Sequence, residues 1–459
     1  LISSIDFSTG NRLGSNRSRR EVASGYLSFK ATLWDDLDLL GGLRLEKIDF
    51  LSENNPLTGQ QVLGRPGAFP TAYLFFDRRD NPNPLSAGGE AIIASAEQAP
   101  FNDQVLGLNP QINPATGFVD LLTPEQILQA ARGEIDELKV LPSVNLAYRP
   151  IEGVTLRLAY SETVARPSFR ELGYYASVDT GSGDQVVGNP LLQLSDVLSY
   201  DFRAEYVFGD VGDLVAFSAF YKTIDDPIES IVVRDPNNQE GGSEALFRTF
   251  FNNPSTARIW GIEVEARKTI DFLRVLGLDF PGIDFFEYFS FGGNFSYFDA
   301  KVKRSPFELT RAREAFLPTP GQPQVYTGLE PERRLFGQPK WIANADVSFD
   351  HPEWGTTVTL AFFAISDILD AAGTTSLGPN SRFPERQFLD RYLDSFYQLD
   401  LVANQRIWGG LSVKASVKNL TNTTRRRIYD QEQTSQKYTE RLRRFGRDWS
   451  FAVNYAYEF

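Results

Sequence analysis

Apolar and polar residues alternate along much of this chain. In Trp449, Phe451, Val453, Tyr455, Tyr457 and Phe459 every second residue is apolar, and between them lie Ser450, Ala452, Asn454, Ala456 and Glu458. Successive side chains of a strand point to opposite faces, so this spacing predicts a strand with one strongly apolar face. Leu198, Tyr200, Phe202, Ala204, Tyr206 and Phe208 repeat the pattern against Ser199, Asp201, Arg203 and Glu205. So do Val154, Leu156, Leu158 and Tyr160 against Thr155, Arg157, Ala159 and Ser161, and Ile262, Val264 and Ala266 against Glu263, Glu265 and Arg267. Phe289, Phe291, Phe295 and Tyr297 share a face, as do Ala343, Ala345, Val347 and Phe349, and Leu411, Val413, Ala415 and Val417.

A soluble sandwich also turns one face of each strand to water. Repetition in segments of about ten residues favours a barrel, because that is the length a tilted strand needs to cross a bilayer. Charges facing lipid near the midplane cost roughly 2–4 kcal/mol each, so the charged faces are expected to line the lumen. The connections alternate in length. Segments 34–38, 150–153, 209–213, 351–355 and 408–410 are short; 51–138, 164–196, 224–255, 301–338, 367–395 and 420–447 are long. Short periplasmic turns and long extracellular loops are the asymmetry of outer-membrane barrels. Connection 269–285 breaks the rule, being long on the side assigned as periplasmic.

The fold class expected is therefore all-β: an antiparallel transmembrane β-barrel. Tracing hairpins backward from Phe459 gives about fourteen strands, the first near 2–8, in a single domain over 1–459. An even count puts the first strand and the C-terminus on the periplasmic side. Loop 51–138, rich in Pro, Gly and Asn, is expected to end in a short helix near 123–138, with Thr123 as cap and Pro124 in its first turn.

Composition narrows the chemistry. Aromatics make up 13% of 459 residues, which suits aromatic girdles at two membrane interfaces. A net charge of -13 argues against a nucleic-acid partner, which wants a basic face. With no cysteine and one histidine, His351, thiolate and His-rich metal sites are excluded and no cofactor is expected. No run approaches the ~20 apolar residues of a membrane helix. The chain contains no methionine and no apolar leader within residues 1–20, and reads as an internal or processed segment. No catalytic set emerges, and an enzyme is not expected. Asp225 and Asp226 read as solvated loop carboxylates, and His351, beside Pro352, as a turn residue.

Several motifs resemble those of TonB-dependent receptors. They are Leu141-Pro-Ser-Val-Asn-Leu-Ala-Tyr148, then 156–172 ending in Ala165-Arg-Pro-Ser-Phe-Arg-Glu-Leu172, and Gly188-Asn-Pro-Leu191 with Tyr200-Asp201. Ala219-Phe-Tyr-Lys222, Ile228-Glu229, Phe251-Asn-Asn253, Gly261-Ile-Glu-Val264 and Lys418-Asn-Leu-Thr-Asn422 extend the match to roughly 140–459. The large carboxypeptidase-regulatory-like receptors of Bacteroidetes and related phyla are the nearest in flavour. The resemblance implies a barrel of about 22 strands around an N-terminal plug, of which about eight strands, the plug and the TonB box are not found here. It further implies energy-coupled uptake through the TonB complex at the outer membrane. Phe451, Val453, Tyr455, Tyr457 and the terminal Phe459 resemble the signal read by the barrel-assembly machinery.

Candidate ligand contacts follow from position. Arg166 and Arg170 leave the top of a strand; they would meet an anionic or hydroxyl-rich ligand, or tie loop to wall by salt bridges. Tyr174 and Tyr175 could stack on a sugar or chelate ring, or pack within their loop. Arg425, Arg426, Arg427, Arg443 and Arg444 could grip lipopolysaccharide phosphates, since guanidinium binds phosphate bidentately, or pair with Asp430, Glu432 and Glu440. The resemblance implies a transporter for an iron chelate, glycan, peptide or cobalamin. A plugless passive channel, or a structural barrel in a larger envelope assembly with other envelope proteins, are the alternatives. The channel predicts that the first and last strands pair.

Overall fold

The computed structural model describes residues 5–7, 16–54, 132–173, 176–178, 185–209, 213–234, 246–270, 281–305, 331–372, 390–431, 436–444 and 446–456. Fourteen strands follow one another as neighbours in a single antiparallel sheet. They are β1 Ile5–Phe7, β2 Asn16–Leu33, β3 Leu37–Asn54, β4 Gly133–Tyr148 and β5 Val154–Ala165. Next come β6 Ser195–Phe208, β7 Asp213–Asp225, β8 Ala257–Thr269, β9 Phe289–Lys303 and β10 Trp341–His351. The last four are β11 Thr356–Ile365, β12 Phe396–Trp408, β13 Leu411–Lys418 and β14 Asp448–Tyr455. Each pairs with the one before it, as a barrel wall requires. Among the described residues β1 and β14 do not pair with each other, so the closure that a self-contained fourteen-strand channel needs is not formed there.

The register turns the separate alternations into one surface. Tyr160 faces Tyr200, Tyr200 faces Tyr221 and Tyr221 faces Trp260. One layer lower, Phe202 faces Ala219 and Ala219 faces Ile262. Further round, Phe295 faces Ala343, Ala345 faces Phe362, Leu360 faces Leu401, and Ala415 faces Phe451. Because the side-chain period is two, every predicted apolar face lands on the same side of the sheet. That side is water-exposed in the isolated chain, with Leu27 at 78% and Phe451 at 70%, as a lipid-facing band must be.

The opposite face carries the charges, and they pair across strands. Arg157 meets Glu205 at 2.8 Å, and Arg203 bridges Glu205 at 3.0 Å and Glu265 at 2.8 Å. Asn294 donates to Glu263 at 3.0 Å, and Asn344 to Asn294 at 2.8 Å. This ladder crosses from β5 to β10 on the lumen side.

The short turns 34–38, 150–153, 351–355 and 408–410 are in place, each with a residue in the left-handed region: Trp34 and Asp35 in the first, Gly153, Gly355 and Gly409 in the rest; Gly209 opens the fifth in the same region, and 210–212 lie outside the described residues. At Gly153 a Cβ would also run into the Val207 carbonyl, so the turn is closed to side chains twice over. The helix expected at 123–138 is corrected in its second half: 133–138 belong to β4, pairing Gly133 with Ser52 and Leu138 with Lys47. Backbone pairing with β3 wins over helix propensity there. Thr123 and Pro124 lie outside the described residues. The boundary of the long loop shifts accordingly, since β3 runs to Asn54 and β4 starts at Gly133. β2 and β3 have 18 residues each, well beyond the ~10 that cross a bilayer, so the wall rises above the membrane on the loop side.

The long loops hold strands of their own. Ala176–Val178, Gln185–Val187, Ile228–Arg234 and Leu246–Asn252 form one four-stranded sheet. Ile368–Ala371, Asp390–Leu393, Thr424–Gln431 and Gln436–Arg444 form a second, and an Ile231–Ala372 bridge joins the two.

Candidate functional site

The loop sheets meet the wall at its outer end, and most of the family-like motifs lie at that junction. A short helix, α1 (Phe169–Leu172), starts at Ser168. The Ser168 backbone N–H donates to Glu171 Oε2 at 2.7 Å, and the Ser168 hydroxyl accepts from the Glu171 N–H at 3.3 Å. This reciprocal cap is what S-x-x-E spacing is built to make. α1 lays Phe169 and Leu172 against Ile48 and Phe50, on the lumen side of β3, with the Phe50 and Phe169 rings edge-on at 4.9 Å. Arg20 lies over both rings, 5.8 and 5.4 Å from their centres.

Arg166 sits just before this helix and pairs with Glu46 of β3, whose side chain is 3% exposed and also takes Arg44 at 2.7 Å. Burial lowers the Arg166 pKa, and the neighbouring charges of Arg20 and Arg44 lower it further. The salt-bridge reading of Arg166 is therefore the geometry present. Arg170 lies within α1 and is partly buried. Tyr174 and Tyr175 lie outside the described residues.

Gly188-Asn-Pro-Leu191 closes α1. The Asn189 N–H donates to the Glu171 carbonyl at 2.6 Å, its Nδ2 donates to the Phe250 carbonyl at 3.0 Å, and its Oδ1 accepts from the Leu191 N–H at 3.0 Å. A Cβ on Gly188 would stand 2.0, 2.7 and 2.9 Å from the carbonyls of Gly173, Arg170 and Glu171. Gly188→Ala must therefore push backbone apart. The expected cost is about 1–3 kcal/mol, confined to the loop sheet. Cleavage of folded protein within 166–194 by added protease should speed up; an unchanged rate would show that α1 can retreat freely.

Asn252 and Asn253 act the same way. Asn252 Nδ2 donates to the Asp226 carbonyl at 2.8 Å, and its Oδ1 accepts from the Gln193 N–H at 2.8 Å. Asn253 Nδ2 donates to the Lys303 carbonyl at 2.9 Å and to Glu229 Oε2 at 2.7 Å. Lys418-Asn-Leu-Thr-Asn422 makes a tight turn with Asn419 and Asn422 in the left-handed region. Asn419 Nδ2 donates to the Gly446 carbonyl at 2.9 Å, holding the last loop to the wall.

Asp226 is exposed, as a solvated loop carboxylate is, while its backbone ties the loop together. It occupies a left-handed turn, φ 51°, and its carbonyl also accepts from Ser195 Oγ at 2.8 Å. Burial raises its carboxyl pKa, and the charges of Asp225 and Asp196 raise it further. The folded state thus disfavours the charged form. Asp226→Asn, with a residue that tolerates this backbone, should stabilise the turn slightly at neutral pH, the gain kept small because the side chain is exposed and solvent screens its neighbours' charges. The gain should vanish below the ordinary carboxyl value of 3.8, where the acid is protonated in both states. Thermal midpoints at two pH values would check this, and an equal gain at both would refute the charge argument.

Deepest in the loop layer lies a set of buried ion pairs. Glu229 is fully buried and receives both Arg333 nitrogens, at 2.7 and 2.9 Å. Asp370 faces Arg391 at 2.8 Å, Arg427 at 3.5 Å and Arg248 at 3.7 Å. Arg304 reaches Asp390 at 3.0 Å, and Arg334 reaches Asp367 at 2.5 Å. These pairs link loop segments far apart in sequence around a small core of Leu369, Tyr392 and Ile428.

The arginines of the last loop are split by the fold. Arg427 is buried against Asp370; Glu432 and the side chains of Asp430 and Glu440 lie outside the described residues. Arg425 lies 5.8 Å from the centre of the Phe396 ring, and Arg426 is exposed. Arg443 and Arg444 pair through their backbones with Arg425 and Thr424, and their side chains lie outside the description. Phe451, Val453 and Tyr455 lie on the lipid face of β14, exposed; Tyr457 and Phe459 lie outside the described residues. Among the described residues no group of three or more His, Asp or Glu is placed to hold a metal ion.

Residues 2–420 match the family described as TonB dependent receptor-like, beta-barrel. The chain belongs to the TonB-dependent receptor β-barrel family. Members of that family are outer-membrane β-barrels. Comparison with curated proteins gives no match. Solved structures resemble it at low identity. The siderophore receptor PiuA from Acinetobacter baumannii is 11% identical, over 96% of this chain and 44% of that one, with a TM-score of 0.49. The ferric yersiniabactin uptake receptor FyuA from Yersinia pestis is 13% identical, over 96% and 46%, with a TM-score of 0.47. The Serratia marcescens hemophore receptor HasR is 14% identical, over 99% and 58%, with a TM-score of 0.46. The chain spans about half the length of these receptors.

Proposed function

We propose that this receptor barrel is the wall and outer binding surface of a TonB-dependent outer-membrane transporter for a scarce nutrient: an iron chelate, glycan, peptide or cobalamin. The observation that carries the reading is the two-sided wall, apolar outward and charge-paired inward, in a chain that matches the family over 2–420. A plug supplied by the rest of the protein would bind solute together with the loops. Pulling by the TonB complex would then open the lumen. We place the chain nearest the carboxypeptidase-regulatory-like receptors on its motif set, and take the barrel-assembly machinery as its route into the membrane. Arg426, exposed in the last loop, is the member of its trio we assign to lipopolysaccharide phosphate.

The test compares depletion of medium components by cells with and without the gene, each with and without a protonophore. A component removed only by the intact strain, and no longer removed once the proton gradient collapses, is the expected result. Removal that survives the protonophore would mean a passive channel. No difference between strains would mean a scaffold.

A further inference from the structure

One periplasmic connection departs from the short-turn rule. Between β8 and β9 the chain ends in a 3-10 helix, Ile283–Tyr288, and this helix packs on β9 and β10. Its direction is set by the rings it touches. Phe285 meets Phe349 at 5.4 Å, Phe289 at 5.6 Å and Trp354 at 6.2 Å between centres. Phe289 and Phe349 are cross-strand partners on the lipid side, continuous with Phe291 and Val347 above them. The helix therefore lies against the outward face of the wall and does not hang below the lumen.

His351 completes the seat. Its ring stacks between Tyr288 at 4.0 Å and Trp354 at 4.1 Å, is 6% exposed, and accepts the Trp354 N–H at Nδ1, 3.3 Å away. Ile283 is buried beneath. Above this seat three rings stay uncovered: Phe285 at 41%, Phe286 at 39% and Trp354 at 57%. A connection that needs only to reverse the chain has no use for them.

We infer that this helix is a membrane anchor, seated in the headgroup region of the periplasmic leaflet, and that its partner is a phospholipid surface. Continuity with the apolar band makes lipid the occupant, because the bilayer that covers Phe291 and Val347 ends where Phe285 and Trp354 begin. Ring systems with one polar edge, such as Tyr and Trp, settle at that depth. An interfacial element buries its apolar side roughly 5–10 Å below the headgroups. Held there, the helix fixes the depth of β8–β10 against sliding along the membrane normal. The inference rests on the membrane-barrel reading of the wall.

The sequence has no cysteine, so one introduced thiol in these 459 residues has no competitor. Phe286→Cys, and separately Phe285→Cys, would be labelled with an environment-sensitive fluorophore in the full protein. Phe295→Cys, in the band, serves as the lipid control. Each would be reconstituted in phosphatidylethanolamine–phosphatidylglycerol vesicles. Either helix label should be quenched at least about two-fold more by headgroup-level nitroxide lipid than by aqueous iodide. If both respond chiefly to iodide while the Phe295 label responds to acyl-chain nitroxide, the anchor is refuted and the helix is free for a periplasmic protein. If the Phe295 label also responds only to iodide, the barrel reading itself fails.

Discussion

Arg333→Ala is expected to loosen the outer loop layer by about 3–5 kcal/mol, because it strands a buried charge. Glu229 is fully buried and Arg333 3% exposed, so neither reaches water in the folded protein. Without the guanidinium, Glu229 keeps only the amide of Asn253. It must then ionise in a dry site or take up a proton. Replacing both partners together, Glu229→Leu with Arg333→Met, should cost far less, since apolar groups of similar size need no counter-charge. Asn253 would still lose one acceptor, so the double variant should fall short of the parent by about 1 kcal/mol. The quantity to measure is the urea dependence of protease cleavage in 228–252 and 331–340, with the wall intact. Arg426→Ala, an exposed arginine of the neighbouring loop, is the control. If Arg333→Ala and Arg426→Ala behave alike, the buried pair is not what holds the layer.

That pair also marks where sequence reasoning stopped. Glu229 follows Ile228 in a motif visible as a family likeness, but nothing about Arg333 in the chain points to it 104 positions away. The same holds for Asp370 with Arg248, Arg391 and Arg427. Ion pairs between loops have no period, and opposite charges are common enough that any pairing could be drawn. Proximity in sequence offers Arg427 only the carboxylates of its own loop. The fold also carries the strand Thr424–Gln431 beside Asp390–Leu393, which brings Arg427 to Asp370. His351 shows a related limit. Its place beside Pro352 reads as a turn, but its partner Tyr288 comes from a helix whose sequence shows no apolar period.

The wall was legible because one physical rule governs it everywhere. Lipid on one side and polar lumen on the other force a period of two, and a one-residue slip would turn every side chain over. Fourteen strands, the four short turns described throughout and the first strand near 2–8 all follow from that alternation. The end of the long loop did not, because charged positions such as Glu134 and Asp136 stand above the membrane, where lipid no longer enforces the pattern. There the tally of helix signals misled, and pairing with β3 decided.

The same rule yields a depth-dependent prediction within one strand. Val264 lies mid-band on β8, between Phe217 and Phe295, and Trp260 lies four residues toward the loops, level with Tyr221. At ~3.3 Å per residue and a tilt near 45°, the two differ in depth by roughly 9 Å. Val264→Arg should cost about 2–4 kcal/mol, whereas the charge brought by Trp260→Arg should cost only about 0–1 kcal/mol beyond the lost ring. Ala159→Arg, on the lumen face opposite Asp201, should be close to neutral, because the new charge meets water and a carboxylate. Trp260→Ala would separate the loss of the ring from the gain of the charge. Guanidinium unfolding in vesicles reads all four. A large penalty at Val264 with none at Ala159 requires that neighbouring strands show lipid and lumen in alternation. Equal penalties at Val264 and Ala159 would mean that the two faces do not differ in environment, and the outward band would then have to be explained as the surface of a protein interface.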